Sequence, residues 1–164
     1  MKLKGTKTAE NLLKSFAGES QANRRYTYYA KVARKQGYIQ IADIFEETAD
    51  QESMHAKRFF SFLNEDKELQ GEMLGITAEY PVALYEETLD NLKAAAAGEN
   101  EEWTDLYPEF AKVAREEGFG AIAAAYDKIA EVEARHEKRY RKLIENIETN
   151  TVFQKSEVVE WKCN

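Results

Sequence analysis

The sequence predicts an all-α fold: a four-helix bundle with a long crossover between helices two and three, built from a duplicated two-helix unit. Three observations predict it. Apolar residues recur at helical spacing through four long segments. Residues 66–81, between the second and third segments, far exceed the roughly 2–8 residues of an ordinary helical hairpin loop. Residues 30–59 match residues 111–140 at 13 of 30 positions, all at an offset of 81.

The first helix is expected over 7–36, with Thr8 as its cap and Leu12, Leu13, Phe16, Glu19, Ala22, Ala30 and Ala33 along one face. Gly37 ends it. The second is expected over 39–65, where Ile41, Ile44, Phe45, Thr48, Phe59 and Phe62 share a face with Glu52 and His55. Two ionisable residues on an otherwise apolar face break the pattern of a simple core helix. Gly71, Gly75 and Pro81 punctuate the crossover, which suits a return from one end of a bundle to the other. The third helix is expected over 82–117, closed by Gly118, and the fourth over 120–148. Residues 1–148 thus form the bundle domain and 149–164 a tail, in which Val158, Val159 and Trp161 suggest a short strand.

Composition narrows the function. The 164 residues are 32% charged and 43% hydrophobic, with a net charge of −7, which argues against a nucleic-acid partner and its basic footprint. No apolar run approaches the ~20 residues of a membrane span, and Met1-Lys2-Leu3-Lys4-Gly5-Thr6 lacks the apolar core of a signal peptide. A single cysteine, Cys163, excludes an intrachain disulfide framework. The expected location is the cytoplasm, with no membrane or nucleic-acid partner.

The chemistry lies in a repeated motif. Glu52-Ser53-Met54-His55 returns as Glu133-Ala134-Arg135-His136, and each copy has an upstream glutamate, Glu19 in Ala17-Gly18-Glu19 and Glu99 in Ala97-Gly98-Glu99. Residues three apart share a helix face, so each Glu-x-x-His presents a carboxylate and an imidazole together. One such pair is weak; two at equivalent positions of a repeat are not. This set of two Glu-x-x-His helices and two single-Glu helices is the one described for ferritin-like di-metal carboxylate bundles. Four carboxylates in an apolar centre need compensation, and two divalent cations supply it. Carboxylate and imidazole ligands suit iron or manganese, while the absence of ligating thiols disfavours a structural zinc. Glu102, three residues after Glu99, has Ala22 as its counterpart after Glu19 and so breaks the symmetry.

These motifs, together with Ala-Gly-Glu-Asn-Glu-Glu at 97–102 and Arg-Glu-Glu-Gly-Phe at 115–119, resemble the rubrerythrin family over essentially the whole chain. The resemblance implies two iron ions. It makes Glu52 and Glu133 bridging ligands, Glu19 and Glu99 terminal ligands, and His136 a ligand of the second iron. Glu102 and His55 become alternative ligands of the first, and Tyr26 and Tyr107 the tyrosines beside the ligands. It also implies a peroxidase reducing hydrogen peroxide to water, supplied with electrons by rubredoxin or a similar donor and assembled as a homodimer or higher homo-oligomer. A ferritin-like protein that oxidises and stores iron is the alternative, and a metal-free helical interaction module a third reading. Val159-Glu160-Trp161-Lys162-Cys163-Asn164 resembles the opening of a rubredoxin-like domain; one cysteine cannot hold a rubredoxin-type iron, so a truncated segment is expected there.

The repeat carries one irregularity. Glu19 to Tyr26 is seven steps, nearly two helical turns, whereas Glu99 to Tyr107 is eight, which swings the second tyrosine roughly 80° further round. If both tyrosines serve one metal pair, the third helix must absorb a residue, and a π-type turn between about 99 and 110, near Pro108, does so. Glu99, Glu102 and Tyr107 are then expected to face the bundle centre. A plain proline kink would turn Tyr107 elsewhere.

Overall fold

The computed structural model describes residues 2–154 and contains only helices and connections. Helix α1 spans Lys7–Lys35, α2 Ile39–Glu65, α3 Thr88–Glu101, α4 Tyr107–Glu116 and α5 Gly120–Glu148. A π turn, Glu102–Leu106, joins α3 to α4 without a break, so the pair acts as the third long helix of the bundle. The residues expected to open a strand in the tail lie outside the described residues.

Each long helix pair closes on the same turn. Gly37 and Gly118 adopt φ of +84° and +85°, a left-handed conformation that glycine enters without a Cβ penalty. In both, the next residue's amide reaches back, Tyr38 N to Ala33 O at 2.9 Å and Phe119 N to Ala114 O at 2.7 Å. An arginine on the first helix then pairs with acids on the second: Arg34 with Asp43 and Glu46, Arg115 with Asp127. Helix α1 packs chiefly on α2, and α3 and α4 on α5, so the duplicated unit is visible as two helical hairpins.

Two starts differ from expectation. The cap of α1 is Thr6, whose hydroxyl accepts from Ala9 N at 3.2 Å, while Thr8 is buried inside the first turn. There Glu117, from the far hairpin, accepts from Lys7 N, Thr8 N and the Thr8 hydroxyl at 3.0, 2.8 and 2.6 Å. The third helix begins at Thr88 rather than 82. The preceding residues are held extended by side chains: Asn91 bonds both backbone groups of Tyr85, and Gln36 accepts from Thr88 N and Oγ1.

The crossover runs 66–87 along α1. Asp66, beside the start of α1, accepts from Leu3 N; Tyr80 OH donates to Lys14 O at 2.8 Å, and Tyr29 OH to Ala83 O at 2.7 Å. These contacts climb α1 from its first residues to its last, so the crossover carries the chain from one end of the bundle to the other. The core is two apolar clusters. One gathers Tyr26, Tyr29, Phe45, Leu92 and Tyr140; the other Leu12, Phe59, Phe62, Tyr107, Ile122 and Tyr126. On every long helix the expected ligands fall between the stretches contributing to the two clusters. Among the described residues no helix is long and apolar enough to cross a membrane.

Candidate metal centre

Glu19, Glu52, Glu99 and Glu133 are at most 1% exposed, and they meet in the layer between the two clusters. Two ligand sets overlap there. Glu19, Glu52, His55 and Glu133 bring one donor atom each within 4.8 Å of one another, and so do Glu52, Glu99, Glu133 and His136. Glu52 and Glu133 belong to both. The sets are related as the two hairpins are, and each takes donors from both.

Both imidazoles turn Nδ1 inward. His55 Nδ1 lies 2.9 Å from Glu133 Oε1, 3.3 Å from Glu52 Oε2 and 3.7 Å from Glu19 Oε2. His136 Nδ1 lies 2.7 Å from Glu133 Oε2, 3.2 Å from Glu52 Oε1 and 3.5 Å from Glu99 Oε2. At His136 the distances are those of ion pairs but the angles are not those of hydrogen bonds. Its Nδ1 stays without a partner, as do one oxygen each of Glu19, Glu52 and Glu99 and both of Glu133. Buried polar atoms left this way are costly. Six converging orphan atoms, all lone-pair donors, fit a pair of divalent cations.

The protonation pattern follows from the crowding. Burial, then the charge of Glu52, raises Glu19 and Glu99 well above the ordinary carboxylate range. Burial opposes ionisation of Glu52 as well, but its close contacts with Glu19 and with the His136 and His55 rings outweigh it and hold that carboxyl low. Burial disfavours both imidazolium ions, yet Glu133 and its neighbours prevail, raising His55 strongly and His136 to about 11. Without metal, protons therefore do the neutralising.

The tyrosines cross over. Tyr26 OH, on α1, donates to Glu99 Oε1 at 2.6 Å, and Tyr107 OH, after the π turn, donates to Glu19 Oε1 at 2.5 Å. Burial foremost keeps both phenols protonated. The π turn lies inside the expected interval and restores the register that the extra residue would have lost. Tyr107 N bonds Glu102 O five residues back, and Pro108, which has no N–H, needs no bond of its own where the ladder shifts. Glu102 behaves differently from Glu99. It is half-buried, with a carboxyl raised by burial and by Glu99, and it belongs to neither close ligand set; it lines a cavity beside the centre.

Sequence reasoning missed two supports. Gln51 Oε1 meets His136 Nε2 at 2.6 Å, fixing the ring from outside. The signal was in the repeat, where Gln51 corresponds to Val132 and a polar residue appears in one copy only. Glu137 accepts from Trp103 Nε1 at 2.5 Å, Asn100 Nδ2 at 3.1 Å and Arg141 Nε at 2.5 Å, which ties the π turn to α5. Nothing in helical periodicity announces that clasp.

An antiparallel helical pair, a crossover and a second pair, closing on a shared layer of glutamates and histidines, define the ferritin-like carboxylate bundles as a class. A solved structure of nigerythrin in its fully reduced, all-ferrous state superposes with a TM-score of 0.75 at 34% identity, over 89% of this chain and 72% of that one. The rubrerythrin family profile matches residues 10–144, and the chain belongs to that family. It is 62% identical to Rubrerythrin-1 of Clostridium acetobutylicum over 98% of this chain and 82% of that protein. Rubrerythrin of Porphyromonas gingivalis is 56% identical, over 98% and 78% respectively. Bacterioferritin of Desulfovibrio desulfuricans shares the fold, with a TM-score of 0.73 at 24% identity.

Proposed function

We propose that this protein is a di-iron peroxidase that reduces hydrogen peroxide to water, drawing electrons from rubredoxin or a donor like it. The observation that carries the reading is the pair of overlapping ligand sets sharing Glu52 and Glu133, with six buried donor atoms unsatisfied by the protein itself. In this reading Glu52 and Glu133, members of both sets, would hold both metals, Glu19 and Glu99 would hold one each, and His136 would complete one set. His55 and Glu102 would be the alternative ligands of the other metal. In the same reading residues 1–148 are the catalytic unit.

Two iron ions, when bound, would supply the two electrons that cleave the peroxide O–O bond. The reaction H2O2 + 2 e− + 2 H+ → 2 H2O also requires two protons. The chain holds candidates at fixed atoms: the Tyr26 hydroxyl on Glu99 and the Tyr107 hydroxyl on Glu19. The two apolar clusters above and below keep bulk water out and strengthen each of these bonds.

The test is a metal count followed by anaerobic titration of the reduced protein. Two irons per chain, both oxidised by one equivalent of peroxide and faster by peroxide than by dioxygen, are expected. Faster reaction with dioxygen would turn the reading towards iron oxidation, and fewer than two metals would end it.

A further inference from the structure

The Ala-Gly-Glu motif places a glycine inside a helix twice, at Gly18 and Gly98, one residue before a ligand each time. Glycine within a helix is destabilising relative to alanine, so each position calls for a reason. Backbone conformation is not the reason, because neither has a positive φ. Packing is not either: a Cβ at Gly98 would meet nothing within 4 Å, and one at Gly18 would meet only Tyr80 Cε1 at an ordinary 3.5 Å.

Both glycines line one cavity. It has a volume of about 310 Å³ and lies between the crossover and the α1 and α3–π faces. Glu102 and Tyr107 also line it, and Tyr107 reaches Glu19 from there, so the cavity adjoins the carboxylate layer. Tyr80 stands against Gly18 on the crossover side, tied by its hydroxyl to Lys14 O. The walls carry both signs of charge, Lys14 and Arg25 with Glu79, Glu101 and Glu102. Of these lining residues, Arg25 has its Nε buried without a hydrogen-bond partner among the described residues.

We propose that this cavity is the port through which small, neutral, hydrogen-bonding oxidants of the hydrogen peroxide class reach the carboxylate layer, and that Gly18 and Gly98 are glycine to keep it open. The proposal rests on the peroxidase reading for the oxidant but not for the passage. The second cavity against the centre, walled by Gln51, Met54, His55 and His136, lies on the histidine side and offers no tyrosine hydroxyl. Tyr80 makes the outer limit of the port and sets the size of molecule admitted.

Gly98→Leu fills the port from a position with free space. Rapid-mixing rates with peroxide on the reduced iron-loaded protein are compared with azide binding to the oxidised protein, a readout that needs no turnover. Both rates are expected to fall about tenfold or more where access limits encounter, with iron content and thermal midpoint kept. Met54→Trp, filling the histidine-side cavity, should leave both rates unchanged. Tyr80→Ala, which widens the port, should speed reaction with tert-butyl hydroperoxide, and this arm decides the matter should Gly98→Leu lose iron. Wild-type rates in Gly98→Leu, slowing by Met54→Trp instead, or no gain from Tyr80→Ala would each overturn the port. An iron-loaded wild type indifferent to peroxide would overturn the peroxidase reading alone, since azide still reports the passage.

Discussion

The two helical hairpins carry equivalent glutamate and histidine pairs but hold the histidines differently. His136, in the second hairpin, has its inner nitrogen among three carboxylates and its outer nitrogen on Gln51, and its side chain is 4% exposed. His55, in the first, is 13% exposed; Nδ1 faces the carboxylates, and no residue among those described meets its Nε2. The counterpart of Gln51 is Val132, which has nothing to offer a ring nitrogen. The helices differ in the same sense. Helix α1 runs unbroken from Glu19 to Tyr26, whereas the second hairpin needs a π turn and spends it bringing Glu102 near the site. The lesson is that duplication supplies a symmetric cage, and a few asymmetric residues make one side rigid and the other adjustable. His55 is thus held at one end where His136 is held at both, and Glu102, the carboxylate proposed to alternate with it, lies in the cavity wall nearby.

The shared ligands offer the largest break. Glu52→Ala and Glu133→Ala should each abolish two-metal occupancy, because both ligand sets lose a member at once. Glu46→Ala, at an exposed position of α2, should keep it. Metal counting on the purified variants checks this, and a normal count in either bridging variant would refute the assignment.

Acid should act on both hairpins together. Ligation needs ionised carboxylates and neutral imidazoles, but the metal-free centre retains protons on Glu19 and Glu99 above the ordinary carboxylate range and on His136 up to about 11. Metal uptake at pH 7 is therefore expected to release protons, and affinity to rise with pH by up to about tenfold per unit for each proton displaced. Manganese titrations in weakly buffered solution measure both. The metal-free protein runs the other way. A raised histidine pKa contributes stability in full below its ordinary 6.5 and loses it as pH climbs towards about 11. Thermal midpoints of metal-free protein across that range test the sign.

Gln51→Val copies the first hairpin's arrangement onto the second. With its outer nitrogen released, His136 should lose orientation and the site about 10–100-fold in metal affinity. Val132→Leu, on the His55 side, should change little. Equal affinities for Gln51→Val and the parent would mean the two histidines are held alike after all.

The smallest effect belongs to the clasp on the π turn. Trp103→Phe removes one donor from Glu137, which keeps Asn100 and Arg141. A loss of about 1–2 kcal/mol in denaturant stability is expected, with wild-type metal content. Tyr29→Phe, whose hydroxyl serves the crossover instead, is the matched control.

Much of this was legible in the sequence. The repeat, its offset and the two Glu-x-x-His pairs give the hairpins and the faces on which Glu19, Glu52, Glu99 and Glu133 meet. The change of offset before Ala111 locates the π turn, because a helix cannot hide an extra residue without changing face or pitch. Periodicity says which face a residue occupies but not which neighbour it touches. It therefore could not show that Tyr26 serves Glu99 and Tyr107 serves Glu19, nor that Gln51 reaches His136. Helix α3 starts at Thr88 and not at 82 for a related reason. Residues 82–87 are kept out of the helix by a local clasp from Asn91 and a long-range one from Gln36, side-chain bonds that leave no periodic trace. Spacing shows only that Glu102 breaks the symmetry of the repeat, and the ligand role comes from the family resemblance; its half-buried place in the cavity wall depends on how the π turn is anchored.

The crossed tyrosine bonds bear on how such a chain arose. Neither hairpin can finish its own site, since each lends its hydroxyl to the other's glutamate and each ligand set draws on both. An ancestral single hairpin would have had a working centre only when two copies met about a two-fold axis, with the site on that axis. A crossover that joins two such copies makes the encounter intramolecular and independent of concentration. It also removes the requirement that both copies stay identical. A self-pairing hairpin must carry Gln51 twice or not at all; a fused one can carry it once.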